Sequence, residues 1–153
     1  MVDLTPKQAL EAFLAKYDPA IAKTGRQALA VMRKLLPGAL ELVYDNYNAL
    51  GVGFASTERS GVVFSIVLYP RWVSLFLFDG AVLKDPTMRL KGKGTRIRHI
   101  VLENGAATLA EAAVQDLIRQ GIAKADPPLP QSGKGRIVIK FVSAKQRPRR
   151  PAN

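Results

Sequence analysis

Basic residues crowd into one short stretch of this chain, residues 84–99, where they could bind an anion. The stretch holds 6 basic side chains and a single acidic one, Asp85. Glycines flank Lys93 on both sides, and a turn of this kind can point two backbone N–H groups in one direction beside a lysine. We therefore predict an anion-binding turn. Its candidate residues are Lys84, Arg89, Lys91, Gly92, Lys93, Gly94, Arg96 and Arg98.

A second group of residues combines aromatic rings with polar side chains and predicts a pocket or groove. Residues 44–48 read Tyr-Asp-Asn-Tyr-Asn. Polar groups at a strand end avoid a desolvation cost only when they are hydrated or bound to a ligand. Other aromatic residues, including Phe76 and Phe78, are more typical of a core. The pocket candidates are Tyr44, Asp45, Tyr47, Asn48, Tyr69 and Trp72.

Catalytic chemistry has little support in the sequence. The chain has 1 histidine and no cysteine, which excludes disulfides and thiolate metal sites. No serine lies in a G-x-S-x-G pattern, and the glycine before Lys93 lacks the spacing of a phosphate-binding P-loop. His99 falls within a predicted strand, where a structural, hydrogen-bonded role is expected. We therefore expect no catalytic residue, no cofactor and no enzymatic activity.

Metal binding is not expected either. Glu41 and Asp45 lie four residues apart on one predicted strand, which places them on the same face but about 13 Å from each other. Hard cations need several oxygen ligands close together. We therefore predict no metal site.

The net charge of +11 is unevenly distributed and suggests the class of partner. Residues 84–99 carry 6 basic and 1 acidic side chains, or +5, and residues 124–153 carry 8 and 1, or +7. This asymmetry favours a phosphate-bearing or acidic partner, and unspecific binding of nucleic acid is compatible with it. The alternative is that the charge serves solubility and that the tail, rich in arginine and proline, is frayed.

Local signals predict three helices and a series of strands. Thr5, Pro6 and Gln8 form a capping box with proline at the first helical position, and Asp18-Pro19 begins a second helix, which Gly25 could interrupt and which ends before Pro37-Gly38. Thr108, with Glu111 three residues later, predicts a third helix that reaches about Ala125. Strands are predicted at residues 40–47, 51–55, 62–69, 72–78 and 96–102.

These elements predict an α+β fold, in which two N-terminal helices and one C-terminal helix pack on a curved antiparallel sheet of five to six strands. Residues 1–125 form the predicted domain. Residues 126–153 are interpreted as a proline-rich linker, an extra strand at 136–142 and a basic tail.

Both faces of the predicted strand 62–69 are apolar, although helices should cover one side of the sheet. We therefore expect the second face to be covered as well. The candidates, in order of preference, are the segment 136–142, a second subunit, and a ligand in a pocket lined by aromatic rings.

The order of the elements and four sequence blocks resemble the YdhG-like family of bacterial domains of unknown function. The resemblance spans about residues 10–125. It rests on residues 69–70 (Tyr-Pro), 78–86 (FDGAVLKDP), 91–94 (KGKG) and 98–100 (RHI). It implies an α+β fold with helices on one side of a curved antiparallel sheet.

Some members of that family are described as frataxin-like iron chaperones, so the resemblance offers metal or small-molecule handling as an alternative function. The chain departs from the acidic ridge expected there, because Lys7 and Lys16 interleave with the acids of the first helix. A structural homodimer is the third alternative. The N-terminal residues lack the pattern of a signal peptide and the apolar runs are too short to span a bilayer, so we expect a cytoplasmic protein without membrane contact.

Overall fold

The computed structural model describes residues 3–152 and has an α+β fold, as the sequence predicts. Within this range three α-helices pack on a six-stranded sheet. The helices are α1 (Pro6–Leu14), α2 (Pro19–Leu35) and α3 (Ala112–Lys124). The strands are β1 (Leu40–Asp45), β2 (Leu50–Ala55), β3 (Phe64–Leu68), β4 (Val73–Leu77), β5 (Arg98–Val101) and β6 (Ile137–Val142).

The strand order is β5-β4-β3-β2-β1-β6. Strands β1 to β5 form the predicted antiparallel meander, whereas β6 pairs in parallel with β1, so that Ile137 lies opposite Glu41. Segment 136–142 is thus the predicted extra strand. It does not cover a face of the sheet, so our first candidate for that role is wrong: its backbone groups pair with those of β1 and extend the sheet at its edge.

Two of the three helices begin at the predicted residue, although Asp18 makes no side-chain capping bond at the start of α2. The Thr5 hydroxyl accepts a hydrogen bond from the Gln8 N–H at the start of α1, and α2 runs unbroken through Gly25. The third helix begins later than predicted. Thr108 lies in a 3-10 turn, and its hydroxyl accepts the N–H of Asn104, so Glu111 is the residue that precedes α3.

The core lies between the helices and one face of the sheet, and two glycines set the distance between them. A Cβ on Gly25 of α2 would lie 2.7 Å from the Leu68 side chain, and one on Gly121 of α3 would lie 2.7 Å from the Phe64 ring. Both contacts fall on β3, the strand that lies centrally under the helices. Glycine at these positions therefore allows two helices to approach the sheet closely.

The opposite side of the sheet, which we call the open face, carries none of the three helices. The residues that alternate with the core-facing ones point to it. Most of its larger side chains are half-buried or exposed, and small residues line its centre. Val62, from the loop before β3, folds over Gly53 near one end.

Candidate functional site

The predicted anion-binding turn lies at the β5 edge of the sheet. Lys91 and His99 exchange both backbone hydrogen bonds, at 2.8 and 2.9 Å, so Lys91 extends the sheet by one residue beyond β5. Residues 92–97 then form an exposed loop that returns to β5, with Gly92 at a φ of +121°. We call residues 91–94 the basic turn.

The structure separates the eight candidate residues into two groups. Arg89 forms ion pairs with Glu103 (3.5 Å) and Glu111 (3.3 Å), and Arg96 forms one with Asp79 (2.8 Å). Arg98 donates to backbone carbonyls of its own loop, and Lys84 lies apart, beside Gln120 of α3. The three arginines are therefore held by the protein itself, whereas the exposed Lys84 side chain forms no ion pair with residues 3–152.

The basic turn keeps its cations available. Lys91 and Lys93 are exposed, and neither forms an ion pair with any residue from 3 to 152. The backbone N–H groups of Gly92, Lys93 and Gly94 also find no protein acceptor within that range. Lysine side chains and outward-facing N–H groups together are a donor set that suits phosphate oxygens.

Three of the six pocket candidates line one cavity. Tyr69 and Trp72 stack with ring centroids 4.7 Å apart, and together with Asn48 they line a shallow cavity of about 550 Å³. Arg147 and Pro148 of the C-terminal tail form its other wall. Burial raises the pKa of Tyr69, so this ring remains a neutral phenol at physiological pH.

Tyr47 and Tyr44 lie outside this cavity. The Tyr47 ring is 49% exposed and lies 5.7 Å from the Arg147 guanidinium, in a cation–π contact at the cavity's edge. Tyr44 points from β1 onto the open face, where it lies opposite Phe141 of β6. Both rings stay accessible.

Asp45 is not a pocket residue, which corrects our prediction. Its side chain is fully buried on the helix side of β1, where it accepts from Lys16 Nζ at 3.0 Å and from Arg149 Nη2 at 2.8 Å. The Arg149 side chain is itself only 4% exposed. The tail is therefore docked rather than frayed, since a residue near its end completes a buried ion pair.

The open face brings together aromatic residues that sequence reasoning did not group. Phe76 of β4 and His99 of β5 lie opposite each other and stack with centroids 5.3 Å apart. The strand register continues this row across the whole sheet. From the β5 edge to β6 the row is Lys91, His99, Phe76, Ser65, Gly53, Leu42 and Val138.

His99 and Phe141 were not among the predicted site residues. Alternation along β5 was the signal that could have found His99, whereas Phe141 reaches the open face only because the β1–β6 register shifts between Val43 and Tyr44. Their neighbours across the sheet depend on register, however, and register between distant strands cannot be read from local patterns.

The open face also lacks acidic residues. Within the six strands the only carboxylates are Glu41 and Asp45, and both point to the helix side. Arg33 holds Glu41 at 2.8 Å, and hydrogen bonding to this carboxylate raises the pKa of Arg33. A negatively charged ligand on the open face would therefore meet no nearby strand carboxylate.

Among residues 3–152, no three acidic, histidine or cysteine side chains lie close enough together to hold a metal ion. No helix in that range has the length and apolar character needed to cross a membrane. The chain matches no protein-family model, no curated protein and no solved structure.

Proposed function

We propose that this protein is a non-catalytic binding domain for a phosphate-bearing partner, and that the basic turn is its contact site. The observation that carries the proposal is the contrast within the cationic stretch. Arg89 and Arg96 form ion pairs with carboxylates, whereas Lys91 and Lys93 are exposed beside three N–H groups that have no acceptor in residues 3–152. Cations without a partner among residues 3–152 are available to an anion.

The ligand is expected to carry several phosphates rather than one. The chain has a net charge of +11, and further exposed cations, Lys140 and Lys145 among them, lie at the β6 edge of the sheet and just beyond it. Five strand spacings separate the two edges, or roughly 24 Å. A single phosphate contacts one edge only, whereas a polyanion can reach both.

Binding of inorganic polyphosphate, a chain of phosphates without bases, tests the proposal at about 50 and 200 mM salt. We expect the affinity to fall as salt rises, because each lysine–phosphate contact releases a counterion. A plot of log affinity against log salt has a negative slope. The double variant Lys91→Ala/Lys93→Ala should make this slope shallower by about 1.4 to 1.8.

The matched control is Lys23→Ala/Lys34→Ala, which removes the same charge from two exposed lysines of α2, in the helix layer. It should leave the slope close to that of the wild type. Absence of polyphosphate binding at low salt, or an equal effect of both double variants, would overturn the proposal.

A homodimer is a second candidate, because Phe141 and Val142 on the edge strand β6 are 52% and 47% exposed. Lys140, at the irregularity between Val43 and Tyr44 in the β1–β6 register, opposes such pairing, since a bulge and a charge both protect an edge strand. Sedimentation of the wild type and of Phe141→Glu tests it: a dimer that the substitution dissociates would support this candidate.

The resemblance to the YdhG-like family stays a prediction. An iron-handling role on the first helix and first strand is not favoured by the contacts of the carboxylates there. Arg26 holds Glu11, Arg33 holds Glu41, and Lys16 and Arg149 hold Asp45. A cation would have to displace these basic side chains before it could bind.

A further inference from the structure

We infer that the open face binds single-stranded nucleic acid, whose bases stack on its aromatic rings while the basic turn holds the backbone. The inference rests on the proposed function and names the polyanion. Three aromatic stations carry it: two lie on the open face within strands, and the third flanks the β3–β4 turn, where alternation from Leu68 and Val73 directs Tyr69 and Trp72 toward the same face. They are the Phe76–His99 stack, the Tyr69–Trp72 stack and the Tyr44–Phe141 pair.

Each station is accessible to a flat ligand. Trp72 and Phe141 are 43% and 52% exposed, and Phe76, His99 and Tyr44 are half-buried, so part of each ring is open to solvent. Rings held in this way stack with nucleobases without sequence preference, because every base has a π-face. A four-stranded sheet that stacks two or three bases is an established way to bind RNA.

The spacing of the stations suits a short single strand. Phe76 and Tyr44 lie three strand spacings and two residues apart, or roughly 16 Å, and Trp72, just before β4, precedes Phe76 by four residues, or roughly 13 Å. Stacked nucleotides advance about 3.4 Å each, so about four to five nucleotides span one such interval. We therefore expect an occluded site of about six to eight nucleotides, within the known range for single-strand binders.

The floor between the stations is uncharged, and it is lined by small residues except where the Val62 side chain lies over Gly53. Gly51 has no side chain and leaves a shallow depression beside Tyr44. A Cβ at this position would have no neighbour closer than 3.7 Å. The Ser74 hydroxyl, which points to the same face, is buried and has no hydrogen-bond partner among the described residues. A floor without carboxylates repels neither the bases nor the phosphates.

The same features disfavour other occupants. A duplex keeps its bases stacked inside, so it could use the cations but not the rings. A second copy of the chain would bring another +11 charge against the basic turn. Single strands supply both the exposed bases and the negative charge.

Trp72 gives a direct test, because it is the only tryptophan in the chain. Titration of the full-length protein with a 12-nucleotide uridine oligomer, and with the deoxythymidine oligomer of the same length, should quench Trp72 fluorescence. A duplex of that length and inorganic polyphosphate should bind more weakly or without quenching. The tighter of the two oligomers identifies the natural source as RNA or DNA.

Two variants separate stacking from charge. Phe76→Leu and Tyr44→Leu keep apolar cover over the sheet but remove a ring, and each should weaken oligomer binding by about 5- to 150-fold. Neither should change the affinity for polyphosphate, whereas Lys91→Ala/Lys93→Ala should weaken both. Thermal unfolding verifies that each variant is folded.

The failures are distinguishable. If polyphosphate binds but neither oligomer does, or if the Leu variants bind the oligomers as tightly as the wild type, then stacking on the open face is refuted and the proposed function stands. If neither polyphosphate nor an oligomer binds at low salt, both are refuted.

Discussion

The C-terminal tail should be a structural part of the fold, and Arg149→Met tests this. The Arg149 guanidinium donates to Asp45 Oδ1 and to the carbonyls of Asn46 and Tyr47, and it lies 5.8 Å from the Tyr17 ring. Methionine keeps much of the volume and removes every one of these donors. The substitution leaves the fully buried Asp45 with Lys16 as its remaining cationic partner.

The size of the effect follows from these contacts. Removing one partner of a buried ion pair costs about 3–5 kcal/mol. Two features reduce this cost. Lys16 still pairs with Asp45, and the variant removes the Arg149 Nε, a buried donor without a partner in residues 3–152, together with its desolvation penalty. We expect a net loss of about 2–3 kcal/mol in the free energy of unfolding, or about 4–12 °C in Tm.

Urea unfolding followed by Trp72 fluorescence measures the loss, and Arg150→Met is the matched control. Arg150 is the adjacent arginine, but its side chain is 55% exposed and lies 3.7 Å from Asp18, so its removal should cost less than about 0.5 kcal/mol. In the double variant Asp45→Asn/Arg149→Met both charges are gone, and the loss should be smaller than the sum of the single losses. Equal effects of Arg149→Met and Arg150→Met, or simple additivity, would refute the buried-pair reasoning.

Two further predictions concern the core. Gly121→Ala should destabilise the protein by about 1–2 kcal/mol, because the overpacking cost of a Cβ 2.7 Å from the Phe64 ring exceeds the gain of about 1 kcal/mol in helix propensity. Gly61→Ala, where a Cβ meets nothing within 4 Å, is the control, and equal denaturation midpoints for both would contradict the close helix approach. The second prediction is a loss of stability above pH 10. Burial raises the pKa of Tyr17 to about 12, so between pH 10 and 12 the unfolded chain loses this proton first and the free energy of unfolding falls. Tyr17→Phe should be less stable at pH 7, since the hydroxyl donates to the Leu68 carbonyl. Its free energy of unfolding should fall less steeply above pH 10 than that of the wild type. An equally steep fall would show that Tyr17 is not the group responsible.

Much of the fold was predictable because its signals are local. The capping box at Thr5, the Pro37-Gly38 stop and the short turns of the meander each act within a few residues, so the first two helices and strands β1 to β5 could be predicted. The third helix was placed too early because Thr108 satisfies the sequence pattern of a cap, while its hydroxyl bonds back to Asn104 in the folded chain.

The candidate site was predictable in its residue types but not in their roles. Lys91 and Arg89 look alike in the sequence, yet Glu103 and Glu111 neutralise only Arg89. Tyr69 and Trp72 flank a tight turn, which makes their contact a local matter. The Phe76–His99 stack joins residues that local patterns do not relate.

The amino-acid sequence by itself determined the kinds of element, their order and the excess of positive charge, because these depend on composition and on interactions between near neighbours. Only the tertiary structure decided that β6 runs parallel to β1, that Arg149 reaches Asp45 across 104 positions of the chain, and that aromatic rings meet on the open face. Those outcomes require pairing between distant segments. Such pairing is selected by the packing of the whole chain, and no single segment encodes it.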